Sequence, residues 1–362
     1  MNTTIKTLVY LYVLLTPVLV FSQSLLSLNG EITDTVKSPI LHKDQQIIVR
    51  LPKSYDKHSA PCPVVYYFDA QYETLRNLVS ANVDRLMWTK DIPDVITVGI
   101  VQWDRAHLSI EREGEKAKLF LNYIVDELIP YIKQKYQTAD YRVFIGHSLG
   151  GQFVTYGMTQ FPNLFNGVIA ISPALFYPES EKWFKNATLK AVENFRKSTL
   201  SKPIRFYYCV GDSGFQDNQF KTGSFNLQAL FKQNSQQNFF WHFDYLNRFS
   251  HSNSPNAGIP MGWVDIFNDW HFPELTAVDI LLHNKGNALR ALSEHKLKIK
   301  NSYGTTDLLI PKQFFWQSGK YCLEKRNDED AGTIIQKFIK RDPKDPMPYS
   351  MMGDLPGKPA QL

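Results

Sequence analysis

Residues 143–151 read VFIGHSLGG. The run opens on three apolar residues, passes through Gly-x-Ser-x-Gly and leads into a helical pattern over 149–160. A strand ending near Gly146 and a helix starting at Leu149 leave His147 and Ser148 to make a sharp corner. Small residues at 146 and 150 give that corner room and lift Ser148 Oγ clear of the backbone. The N–H of Leu149 then lies at a helix N-terminus, where free donors and the helix dipole favour negative charge. A serine that attacks a carbonyl needs such a donor for the oxyanion. It also needs a base, because its alkoxide is not available at neutral pH. Five residues of this kind recur by chance; the strand before and the helix after make the motif specific.

Outward from this corner the chain alternates. Apolar, β-branched or aromatic runs at 46–51, 63–68, 95–101, 141–145, 167–172, 204–210 and 238–246 read as strands. Helical periods fall at 116–136, 149–160 and 261–270. Strands alternating with helices imply crossover connections and a mostly parallel, three-layer α/β sheet. With a nucleophile elbow at its centre, that is the α/β-hydrolase fold. Two stretches interrupt the alternation, 173–203 (with Trp183 and Phe184) and the polar 212–237, and read as insertions or as a lid over the site.

In this fold the partners follow the serine in the order acid, histidine. Of nine histidines, His42, His58 and His107 precede Ser148. His147 is the variable residue of the elbow, read as packing or edging the pocket. His242 alternates within a strand pattern. His251 follows the last strand in a polar loop ahead of a helix, as the base requires; His271 is the alternative. The acid should close the strand 204–210. Asp212 follows at once and Asp217 lies five residues on. Asp212 is the first choice, with Asp217 or a carbonyl left open. The second oxyanion donor should come from the loop 69–72, from the N–H of Gln71 or Tyr72.

Composition bounds the rest. The chain has 362 residues, 43% hydrophobic, 21% charged and 14% aromatic, with a net charge of +5. These values describe a globular protein, and the charge is too mild and mixed for a nucleic-acid binder. Residues 8–21 form an apolar run after Lys6, short of a membrane span and interrupted by Pro17. This reads as a signal peptide over 1–22, with Gln23 first in a periplasmic or secreted protein; an uncleaved anchor is the alternative. Three cysteines, Cys62, Cys209 and Cys322, cannot complete a disulfide framework. There is no CxxC, HExxH or P-loop motif. The expected chemistry needs no metal or organic cofactor.

The segments PVVYYFDAQ, ITVGIVQWDR, FLNYIVDELIPYIKQKY, VFIGHSLGGQF, FPNLFNGVIAISPALFY, YYCVGD and SHSNSP, in that order, resemble the putative-esterase family of α/β-hydrolases. That family includes enterochelin-type siderophore esterases, esterase D and feruloyl or acetyl-xylan esterases. The resemblance covers roughly residues 40–275 and implies Ser148 as nucleophile and His251 as base. Members often carry Gly where this chain has Ala70, and Arg followed by Asp three residues on; here Arg105 is followed by Leu108. Arg105, Trp103 and His147 are the candidate substrate contacts.

The expected organisation is a hydrolase domain over 23–290 and a helical segment over 296–362. In the latter, Gly319 and Gly353 stand at the tetratricopeptide period of 34, with Ala331 and Pro343 at that repeat's spacing. The segment should dock on the main domain and could offer a surface to a protein partner. The reading is a secreted serine ester hydrolase acting through Ser148, His251 and Asp212, with Leu149 and Gln71 as oxyanion donors. Its substrate is a small ester or one linked to a siderophore or carbohydrate. An acyltransferase on the same triad, or a binding protein of hydrolase fold, is the alternative.

Overall fold

The computed structural model describes residues 30–55, 60–175, 186–233, 235–270, 287–305, 308 and 310–355. The expected signal peptide, Trp183, Phe184 and His271 lie outside these residues. Among these residues, eight strands form one sheet: β1 (Glu31–Ser38), β2 (Lys43–Arg50), β3 (Cys62–Tyr67), β4 (Ile96–Ile100), β5 (Thr138–His147), β6 (Gly167–Ile171), β7 (Ile204–Ser213) and β8 (Phe239–Ser250). Their order is β1-β2-β4-β3-β5-β6-β7-β8. β2 pairs antiparallel with β1 and with β4, and β3 to β8 run parallel. The central strands CPVVYY, ITVGI and GVIAI are buried at every position. Such unbroken apolar runs suit strands covered on both faces. β1, EITDTVKS, is half polar and lies at the sheet edge, so its pattern carries little strand signal.

Successive side chains of each strand point to opposite faces, giving two cores. Tyr66, Phe144, Val168 and Tyr208 face one way, against α2 (Gly114–Tyr123), a π turn (Ile124–Leu128), α3 (Ile129–Lys135), α4 (Leu149–Gln160), α5 (Ala187–Phe195) and α6 (Phe215–Gln233). Tyr67, Ile145, Ile169, Tyr207 and Cys209 face the other, against α1 (Glu73–Thr89) and α7 (Ser254–Ile266). This is the three-layer α/β-hydrolase architecture. Two expectations change. The polar stretch 212–237 is neither lid nor insertion: most of it is α6, a crossover helix that buries Phe220, Leu227 and Phe231. The helix expected over 261–270 begins at Ser254, with Pro255 in its first turn, where the missing N–H costs nothing.

Beyond α7 come α8 (Ala288–Tyr303), α9 (Lys312–Glu324), α10 (Asp328–Arg341) and α11 (Pro346–Gly353). Position 296, where the C-terminal segment was expected to begin, lies inside α8. Tyr303 packs edge-on to Tyr141 of β5, and its hydroxyl accepts the N–H of Trp270 at 2.8 Å. Phe314, Ile334, Ile335, Phe338 and Met351 continue the core of the sheet's second face. Cys62, Cys209 and Cys322 are buried and unpaired.

Candidate active site

The corner after β5 takes the expected form. Ser148 has φ 61° and ψ −118°, a conformation that L-residues rarely adopt and that tertiary contacts must enforce. Its N–H donates to Ile171 O at 3.0 Å, and its carbonyl accepts from Gln152 and Ala174. A Cβ on Gly146 would come within 2.2 Å of Gly150's backbone, so a side chain there would block the corner. Ser148 retains 8% exposure.

His251 directly follows β8. Its Nδ1 lies 2.8 Å from Asp217 Oδ1. Asp217 is fully buried in the first turn of α6. Its Oδ2 accepts the Gly211 N–H at 2.8 Å and the Ser172 hydroxyl at 3.0 Å. With these donors and a helix N-terminus, the buried carboxylate is fully satisfied. A carboxylate only accepts, so Nδ1 carries the ring proton and Nε2 keeps a free lone pair. Phe220 packs edge-on to the imidazole at 5.3 Å, and Ser254 Oγ donates to the His251 carbonyl.

The carboxylate that meets His251 is that of Asp217, not the expected Asp212. The sequence suggested that β7 ends at Val210, which would place residue 212 in the loop facing the base. β7 instead runs on to Ser213. Asp212 therefore remains in the strand, and its Oδ1 accepts the Arg248 N–H of β8 at 2.7 Å. The chain turns at Gly214, and the first turn of α6 returns a carboxylate to the imidazole.

Two of the expected substrate contacts are committed to the protein itself. His147 Nε2 lies 2.9 Å from the His251 carbonyl, and the two rings sit 4.5 Å apart. Burial foremost, then the neighbouring His251, pushes its pKa down to about 3. The neutral ring donates Nε2–H and braces the loop that carries His251. Arg105 grips Asp69 with Nε and Nη2, at 2.8 and 2.9 Å, and Nη2 also reaches the His147 carbonyl at 3.5 Å. Its charge is thus spent on a buried carboxylate; burial raises the Asp69 pKa, and Arg105 opposes that shift. Trp103 is 54% exposed in the loop after β4.

In the loop after β3, Asp69 has φ 62°. The N–H of Ala70 donates to Ile100 O and that of Tyr72 to Asp69 O, which leaves Gln71 as this loop's candidate donor. The Gln71 side chain bridges Asp69 Oδ1 and the Gln102 N–H. Asp69, Ser172 and Ser254 escaped the sequence reading. Ser172 could have been found, since it ends the strand GVIAIS beside the elbow. Asp69 has only a loop position to mark it, and Ser254 opens α7. Ser148, Leu149, Asp217, His251 and Gln71 all gather at the carboxyl ends of the parallel strands, where open α/β sheets bind ligands. Among the described residues, no group of three or more His, Cys, Asp or Glu is placed to hold a metal ion.

Comparison with known proteins bears on the fold and the family. The chain spans 57% of the uncharacterized protein YjcH of Bacillus subtilis (strain 168), at 25% identity over 138 residues, or 37% of this chain. An uncharacterised protein from Capnocytophaga ochracea shares the fold with a TM-score of 0.71, at 16% identity over 90% of this chain and 88% of the other. An IroE-like serine hydrolase from Shewanella oneidensis does so with a TM-score of 0.67, at 18% identity over 86% of this chain and 99% of the other. The family model described as putative esterase matches residues 38–263, more than half of the chain. From the elbow motif, the hydrolase sheet and this match together, the chain belongs to the putative esterase family.

Proposed function

We propose that this chain is a serine ester hydrolase with Ser148 as nucleophile, His251 as base and Asp217 as the acid. The observation that carries the reading is the 2.8 Å contact between His251 Nδ1 and buried Asp217, together with the strained elbow geometry of Ser148. His251 Nε2 takes the Ser148 hydroxyl proton as Oγ attacks the ester carbonyl. The oxyanion accepts the N–H groups of Leu149 and Gln71. Asp217 stabilises the imidazolium, which passes its proton to the departing alcohol oxygen. Water then attacks the acyl-enzyme by the same steps and frees the acid.

The substrate we favour is an ester without a carboxylate or phosphate at the reacting end, because the Arg105 fork is already occupied by Asp69. Siderophore and carbohydrate esters remain within that class where the reacting end is neutral. The helices α9, α10 and α11 support a tetratricopeptide-like reading of the C-terminal segment: a Cβ on Gly319 of α9 would meet Met351 of α11.

The test is hydrolysis of p-nitrophenyl acetate by the purified protein beside Ser148→Ala. In a comparable triad, loss of the serine costs about 10⁶ in kcat. A variant that keeps a tenth of the parent rate would remove Ser148 from the mechanism.

A further inference from the structure

One buried cation has no part in the reaction described so far. Arg76, in the first turns of α1, is wholly buried. Its Nη1 donates to the carbonyl of Ala70 at 2.8 Å. Its Nε lies 3.3 Å from Oε1 of Glu31, on edge strand β1, and that side chain is 1% exposed. Removing a guanidinium and a carboxylate from water is costly, and apolar side chains of like size are commonly the more stable filling. The pair is therefore a poor choice for packing alone.

What it touches suggests its use. The carbonyl of Ala70 and the N–H of Gln71 belong to one peptide group. The group is planar and trans, so the two dipoles point in opposite directions and move as one. A guanidinium on the carbonyl fixes the plane and with it the aim of the N–H. It also draws electron density toward the oxygen, which makes the N–H a stronger donor. The neighbours close off other motions: Ala70 N–H is tied to Ile100, and Asp69 is tied to Arg105.

We propose that Arg76 is a positioning residue of the oxyanion hole, orienting and polarising the Gln71 N–H through the Ala70 carbonyl, with Glu31 holding the guanidinium in place. This rests on the esterase reading above. It makes β1, the polar strand farthest from Ser148 in the sheet order, part of the machinery.

The charge-balanced double variant Glu31→Gln/Arg76→Met tests it. The parent and the variant are compared in p-nitrophenyl acetate hydrolysis and in the rate of inactivation by a p-nitrophenyl alkylphosphonate. The phosphonyl oxygen of that reagent occupies the oxyanion position. A full oxyanion donor is worth about 10²–10³ in kcat, so a mis-aimed one should cost about tenfold or more, with KM within about twofold. Phosphonylation should slow in proportion. A merely structural role would lower the melting temperature and leave the kcat of the folded fraction alone. Should the double variant fail to fold, Arg76→Lys keeps the cation beside Glu31 without the fork that spans Ala70 O and Glu31, and the same kcat loss is expected. A folded variant with parent kcat and parent phosphonylation rate overturns the proposal. A parent that neither hydrolyses the ester nor reacts with the phosphonate overturns the esterase reading and this inference with it.

Discussion

Asp212 and Asp217 sit five residues apart and meet different partners: a strand N–H in one case, an imidazole in the other. The two carboxylates therefore predict different losses. Asp217→Asn would turn an acceptor into an amide whose N–H₂ can face His251. That favours the tautomer with its proton on Nε2, which cannot accept from Ser148. In a comparable triad this costs about 10⁴ in kcat. Asp212→Asn keeps an oxygen for the Arg248 N–H and should leave kcat within about threefold, as a surface change away from the chemistry does. Steady-state kinetics on the two variants decides the matter, and the reverse ranking would return the acid to Asp212. His251 could be singled out in the sequence because strand, loop and helix frame it. The carboxylate that meets it could not, because that depends on where β7 stops, and element ends are set by cross-strand contacts that no local pattern records. Arg105 shows a related limit: an arginine in a loop announces a charge, and only the structure shows its contact with Asp69.

At the scale of elements, the unit that builds the site is the end of β7, its turn and the first turn of α6, crossed by the end of β8. Gly211 sits at that crossing. An added Cβ would lie 2.2 Å from Phe249 O and 2.4 Å from Asp217 Oδ2, and a backbone oxygen cannot swing aside. The Gly211 N–H also donates to the carboxylate. Gly211→Ala should then destabilise the protein by about 1–3 kcal/mol, the usual cost of overpacking, and lower kcat by displacing Asp217. Gly353→Ala, where nothing lies within 4 Å of an added Cβ, is the matched control and should change neither. Denaturant titration and turnover on the pair test this, and a Gly211→Ala protein with parent stability and rate would mean that the crossing yields. The central strands β3, β4 and β6 and helix α4 were readable because their apolar runs are buried along almost their whole length. α1 and β1 were not: α1 spreads its buried residues thinly over 17 positions, and β1 is half polar. Arg76 and Glu31 lie on those two elements, so the part of the fold hardest to read also holds the two residues proposed to aim the Gln71 N–H.

Across the whole molecule, the catalytic end and the C-terminal helices share one response to acid. His147 packs against His251 at the site, although an edge of it reaches solvent. His295, 5% exposed, stacks on Phe314 between α8 and α9. Burial foremost pushes the first down to about 3 and the second to about 4, the second helped by Lys298. Both pKa values lie below the unfolded value near 6.5, so as pH falls the unfolded chain binds protons that the folded one refuses. The stability these neutral rings contribute is present above about pH 6.5 and is lost as pH drops toward 4. Each fully buried ring gives a slope of about 1.4 kcal/mol per pH unit; the pair should give between one and two such slopes, with His147 the smaller contributor. Urea unfolding at pH 6.0, 5.5 and 5.0, above the range where most carboxylates titrate, measures this. His295→Leu removes the proton acceptor from the helical interface and should cut the slope by about one proton while leaving turnover at pH 7 in place. An unchanged slope in that variant would mean that His295 titrates as it does in the unfolded chain. That would require water to reach the α8–α9 interface, and so an appendage less firmly docked than the continuous core through Phe314 and Phe338 describes.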